Sequence, residues 1–150
     1  MKNIIKNVVR FLICLLPWFL SSLIFRTDTS FYDSIKKPFF APPGIVFPIV
    51  WTILYILIAI GLYTNKNKNK NKNKSIDYYK SLIINYFSNQ IFTFLFFIVK
   101  SPFIAFVDTV IILISSLFLY NETKSKWFIP YVIWNVFATI LSLSVYLLNI

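Results

Sequence analysis

The side chains that carry most enzymatic chemistry are nearly missing from this sequence. Its 150 residues include no histidine, one cysteine (Cys14) and five Asp or Glu. The absence of histidine excludes a His-based triad and removes the commonest metal and haem ligand. The only methionine is Met1, a poor axial ligand. No residue type with an ordinary pKa near neutrality is present, so general acid–base catalysis lacks its usual agents. No metal site is expected, and one cysteine allows no intramolecular disulfide. What remains is aromatic surface with a few amides, set out at helical spacing. One stripe is Phe47, Trp51 and Tyr55, continued by Ile58 and Ala59; a second is Asn85, Asn89, Phe92 and Phe96; a third is Tyr131, Trp134, Ala138 and Ser142. Turned toward one another, these faces would wall a mostly aromatic cavity suited to a flat, apolar ligand with one or two polar handles. The same stripes equally suit plain packing, in which Asn and Ser join membrane helices. Asp108 stands inside an apolar run. An intramembrane acid is a functional candidate by position; capping near the interface or pairing with a loop lysine are equal alternatives.

The elements that must position these faces follow from hydropathy. The chain is 58% hydrophobic with mean hydropathy +0.72. Only 13% of it is charged, against roughly a quarter in soluble domains. Apolar runs predict helices at about residues 4–25, 45–63, 81–99, 103–120 and 127–148. Each is long enough for roughly 30 Å of hydrocarbon at 1.5 Å per residue. The expected fold is therefore an all-α integral membrane protein, one five-transmembrane-helix bundle over residues 1–150. Lys2, Lys6 and Arg10 before the first run also resemble the start of a signal peptide. The small-residue cleavage pattern is weak, however, because Ser21 and Ser22 are followed by Leu23, Ile24 and Phe25; a retained helix is expected. Pro48 falls in the first turn of the second helix, where its missing N–H costs nothing.

Two connections differ in kind. Residues 26–44 hold Pro38, Pro42 and Pro43 with Phe31, Tyr32, Phe39 and Phe40, which predicts a structured, rigid and non-helical cover between helices 1 and 2. Residues 65–74 read NKNKNKNKNK, a low-complexity segment expected to be a solvated, disordered loop. The net charge of +10 is read as membrane orientation and attraction to anionic lipid, and no nucleic-acid partner is expected. The N-terminus, the repeat loop and residues 121–126, with adjacent helix ends, carry eleven Lys or Arg, against four on the other side. That bias predicts an N-terminus inside and a C-terminus outside. Without the repeat the count is six to four, so the repeat carries most of the margin.

The stretch from Phe31 to Gly61, FYDSIKKPFFAPPGIVFPIVWTILYILIAIG, resembles the TspO/MBR family, the translocator proteins also called peripheral-type benzodiazepine receptors. Tyr32, Lys37, Pro38, Pro42, Pro43, Phe47, Val50, Trp51, Leu54 and Tyr55 fall at the family's spacing. Asn85, Asn89, Phe92, Phe96 and Phe97 fit its third helix. Ala105, Val107 and Asp108 fit the fourth, and Pro130, Tyr131, Trp134, Phe137, Ala138 and Thr139 the fifth. The resemblance implies a five-helix bundle whose first loop closes a cavity for porphyrins, haem, sterols and synthetic drugs. By position Trp51, Asn89, Phe92, Trp134, Ala138 and Leu141 would line it, with Tyr55 on the same face, and Tyr32, Pro42, Pro43 and Phe47 would form the lid.

A membrane receptor for porphyrin or a similar flat hydrophobic molecule, with a tetrapyrrole-regulatory or stress-sensing role, is the first functional expectation. No cofactor is required, and protoporphyrin or haem would be ligand. Lys36 or Lys37 could pair a propionate, and haem would be held by stacking or weakly by a Tyr or Cys14. The alternatives are light- and oxygen-dependent porphyrin degradation, with Trp51 and Trp134 as the implicated residues, or small-molecule transport. The expected location is a bacterial cell membrane. The sequence also departs from the family. Phe31, Phe40 and Phe92 replace tryptophans, Asn85 a Gln and Ser142 an Asn. The sterol pattern fails after Tyr146, and with two glycines there is no GxxxG face behind a homodimer, which the family still implies.

Overall fold

The computed structural model describes residues 2–25, 29–68 and 76–150. Five of its helical stretches, of 20 to 23 residues, are long and apolar enough to cross a membrane: Ile4–Ile24, Val46–Asn65, Ile76–Ile98, Pro102–Thr123 and Lys126–Leu148. The described residues contain no strand. The protein is an all-α integral membrane protein.

The first span is broken. Helix α1 (Lys2–Leu15) passes into a 3-10 turn (Leu16–Phe19) with Pro17 near its start, then into α2 (Leu20–Ile24). Proline supplies no N–H and clashes with the preceding turn, so a mid-span proline bends the chain. The polar groups freed there are taken up by the third span. The Ser21 N–H donates to Gln90 Oε1 at 2.7 Å, Gln90 Nε2 donates to the Trp18 carbonyl at 3.4 Å, and the Tyr86 hydroxyl donates to the Pro17 carbonyl at 3.0 Å.

The connection after it is not wholly non-helical, as expected, but contains the short helix α3 (Thr29–Ser34). The first proline comes only at Pro38, so nothing prevents a helical turn before it. Helix α4 (Val46–Lys68) runs into the Asn-Lys repeat instead of ending near residue 63. Lysine is a good helix former, and Asn65 is buried and hydrogen-bonded to Tyr78. Residues 69–74 of the expected disordered loop lie outside the described residues. Helix α5 (Ile76–Thr93) begins five residues before the expected start. Asp77 in its first turn complements the helix dipole. A π turn (Phe94–Ile98) ends that span. Helix α6 (Pro102–Thr123) is capped by Ser101, whose Oγ accepts from the Ile104 N–H at 3.4 Å. A 3-10 turn (Lys126–Phe128) then leads into α7 (Ile129–Leu148).

The spans form a ring. α1 packs on α4, α4 meets α7, α7 packs on α6, α6 on α5, and α2 closes the ring against α5. The half of the bundle away from the lid holds a dense cluster around Ile58, Tyr78, Leu119, Phe128 and Tyr131. Gly61 permits it: a Cβ there would stand 2.8 Å from Phe128 Cε2. Asn85, fully buried, ties three spans together, donating to the Ile112 carbonyl at 3.2 Å and Ser115 Oγ at 2.9 Å and accepting from the Tyr131 hydroxyl at 2.8 Å.

Candidate functional site

The lid is built by local chemistry. The Tyr32 hydroxyl donates to the Pro42 carbonyl at 2.8 Å, and the Lys37 ammonium donates to the Tyr32 carbonyl at 2.8 Å while lying 4.7 Å from the Tyr32 ring. Lys37 also pairs with Asp33 at 3.9 Å. Burial first, and the Asp33 carboxylate second, push the Tyr32 phenol above its ordinary pKa, so it remains a donor at physiological pH. The far end of the lid is clamped to the end of α7. The Lys36 N–H donates to Asn149 Oδ1 at 3.0 Å, and Asn149 Nδ2 returns a bond to the Lys36 carbonyl at 2.8 Å. Ring contacts continue the seal: Tyr32 on Phe47 at 5.2 Å, Phe31 on Phe96 at 5.4 Å and Phe40 on Phe137 at 6.3 Å.

Beneath it lies a cavity of about 460 Å³ walled by all five spans. Tyr32, Phe47, Trp51, Tyr55, Asn89, Phe92, Trp134, Ala138 and Leu141, expected at the site, all face it. Pro42 and Pro43 do not line it. Pro42 holds the Tyr32 hydroxyl, and the Pro43 carbonyl accepts the Val46 N–H at 2.9 Å to start α4. They set the lid rather than touch the space. Cys14 lies outside the lining, and Lys37 is already engaged within the lid. Asp108 is buried against Ser88, which hydrogen-bonds its carboxylate; Ser101 caps its helix, and among the described residues Asp108 pairs with no lysine.

Trp51 on α4 and Trp134 on α7 each meet a ring of the other helix, Trp134 with Phe47 at 6.3 Å and Trp51 with Tyr131 at 6.4 Å. Phe92 and Phe96 stack at 5.8 Å with planes 8° apart on the third wall. Among these rings sit polar atoms with no partner in the protein: Trp134 Nε1, Asn135 Nδ2 and Asn89 Oδ1, all on lining residues. The Asn89 amide nitrogen is spent on the Tyr131 hydroxyl and the Asn85 carbonyl, each at 2.7 Å. A buried unpartnered polar group costs about 1–3 kcal/mol. All three atoms are themselves buried, on residues that line the aromatic chamber. Among the described residues no cluster of three or more His, Cys, Asp or Glu could hold a metal.

Sequence reasoning missed the first span's share, Phe19, Ser21 and Ser22, and also Thr109 and Asn135. Pro17 was the available signal for the former, and the polar neighbour of Trp134 for the latter.

The sequence pattern of the TspO/MBR family matches residues 10–148. The chain belongs to the TspO/MBR family. It is 32% identical to the tryptophan-rich protein TspO of Bacillus cereus, over 96% of this chain and 97% of that one. The protein of the same name from Archaeoglobus fulgidus is 31% identical over 98% and 99%. Protein CrtK of Rhodobacter capsulatus is 27% identical over 80% and 79%. Membership of the TspO/MBR family accords with the five apolar spans. Phe31, Phe40 and Phe92, at tryptophan positions of the family pattern, retain aromatic contacts here, with Phe96, Phe137 and Phe96 respectively.

Proposed function

We propose that this TspO/MBR protein is a membrane receptor for porphyrins, protoporphyrin or haem, or for similarly flat hydrophobic molecules, with a role in tetrapyrrole regulation or stress sensing. The observation that carries this reading is the chamber itself. About 460 Å³ of space is lined by Trp51, Trp134, Phe47 and Phe92, and by Asn89 and Asn135, which carry buried unpartnered polar atoms as Trp134 does. Small-molecule sites are of this size and are mainly apolar with a few placed polar groups. Stacking on the rings would supply affinity, and Trp134 Nε1, Asn135 Nδ2 and Asn89 Oδ1 would meet the ligand's polar edge. With no histidine, haem would be held by its faces. Its partners are then the ligand and the bilayer, with the lid on the outer side by charge bias.

The test is a protoporphyrin titration followed by tryptophan fluorescence. Quenching is expected, and the double variant Trp51→Phe, Trp134→Phe should lose most of it. A flat titration, or quenching untouched in the double variant, would refute the reading. The two indoles around one chamber also favour a second reading, photo-oxidative porphyrin degradation using light and oxygen. Illumination of bound protoporphyrin decides it, because loss of the porphyrin spectrum no faster than in detergent alone removes that reading.

A further inference from the structure

The lid is fastened on the side of α5 and α7, yet the chamber is not closed all round. Its lining includes exposed residues on two neighbouring stretches: Ser22 on α2, and Ile45 just before α4 with Pro48 and Thr52 in its first two turns. These two groups flank the same gap. α1 packs on α4, but beyond the Pro17 break α2 leans on α5 instead, where Gln90 and Tyr86 hold the bend. The first span therefore leaves α4 just where the chamber begins. Thr52 lies six residues into its span, about 9 Å deep at 1.5 Å per residue.

We infer that the chamber takes its occupant from the bilayer, through a side opening between α2 and α4 in the lid-side leaflet, and that the Pro17 bend latched by Gln90 and Tyr86 keeps this opening in place. The rim suits lipid rather than water. Exposed polar groups at membrane depth must be satisfied internally, and here they are. Ser22 Oγ donates to the Phe19 carbonyl at 2.7 Å, Thr52 Oγ1 to the Pro48 carbonyl at 2.7 Å, and the Ser21 N–H to Gln90. The rim thus presents methyl, methylene and ring surface outward. The molecules admitted are those that dissolve in acyl chains first: flat, apolar amphiphiles. The route rests on reading the chamber as a ligand site, but the opening can be tested without any ligand.

The full chain is reconstituted in bilayers of phosphatidylcholine brominated on its acyl chains near the headgroup, in a variant that keeps Trp51 alone (Trp18→Phe, Trp127→Phe, Trp134→Phe). Bromine in the lid-side leaflet should quench Trp51, and plugging the rim with Ser22→Phe and Thr52→Phe should relieve most of that quenching. The controls Ser22→Ala and Thr52→Ala should leave it unchanged. Trp51 emission indifferent to brominated chains, or quenched equally with both plugs, overturns the opening. In a second arm, on the native tryptophan background, protoporphyrin preloaded in vesicles should bind the plugged protein about tenfold more slowly, as a gated association requires. Bromolipid quenching relieved by the plugs, without porphyrin binding, upholds the opening and refutes the receptor reading. Porphyrin binding at unchanged rate in the plugged protein overturns the route.

Discussion

The two halves of the bundle are made from the same helices and do opposite things. Away from the lid, Gly61 lets the Phe128 ring lie against α4, and Asn85 joins α5, α6 and α7 through one buried amide. Toward the lid, the Pro17 bend draws the first span off α4, and large rings stand around a space instead of filling it. Lipid tails are as apolar as leucine, so spans are held together by close packing and hydrogen bonds rather than by the hydrophobic effect. The packed half supplies both, which leaves the other half free to be hollow. The contrast predicts that stability and ligand response separate along the bundle axis.

The largest effect belongs to the packed half. Phe128 is fully buried, and Phe128→Ala should cost about 3–5 kcal/mol, the range for emptied aromatic sites. Gly61→Ala should cost about 1–3 kcal/mol by overpacking, because the new methyl would stand 2.8 Å and 3.1 Å from two Phe128 ring carbons. If that clash is the cause, combining Gly61→Ala with Phe128→Leu should cost less than the two single changes added together, as expected for residues in contact. Thermal unfolding in detergent reads all three. Strict additivity would break the link drawn between Gly61 and the ring.

Next comes a pair of neighbours on one face of α5. Asn85 spends its amide on α6 and accepts from Tyr131, while Asn89 keeps Oδ1 free on the chamber wall. Asn85→Leu should lower stability by about 1 kcal/mol, typical of a hydrogen bond between membrane helices. Asn89→Leu should change stability less and protoporphyrin quenching more. The reverse order would erase the distinction between the two halves at this layer.

Much of this division was legible in the residues, and the exceptions have physical causes. The five spans follow from apolar runs of membrane length, and the faces of α4, α5 and α7 follow from four-residue spacing, because a straight helix keeps such residues in one row. Element ends were less legible. Ile76 to Lys80 looks polar by composition, yet Tyr78 is buried and paired with Asn65, so both flanking helices extend toward the repeat. The first span's contribution could not be read from spacing, because the Pro17 break resets which residues share a face and brings Phe19, Ser21 and Ser22 to the chamber. The prolines of the lid act through their carbonyls, which spacing alone does not show. Pro42 and Pro43 sit beside the site in sequence, but their carbonyls are used to hold Tyr32 and to start α4.

The smallest expected effect is in the lid, and it sharpens the claim that the lid is fastened rather than mobile. Lys37 bonds the Tyr32 carbonyl, lies over the Tyr32 ring and pairs with an exposed Asp33. Exposed ion pairs contribute only about 0.2–1 kcal/mol, so Asp33→Asn should barely move the unfolding temperature. Lys37→Met removes the carbonyl and ring contacts as well and should cost more than Asp33→Asn, while preserving the stem's apolar packing. The separate clamp between Asn149 and Lys36 should keep the lid down in both variants. Protoporphyrin loading from vesicles should then proceed at the unmodified rate, since the route lies between α2 and α4. Loading accelerated several-fold by Lys37→Met would place the entrance under the lid instead.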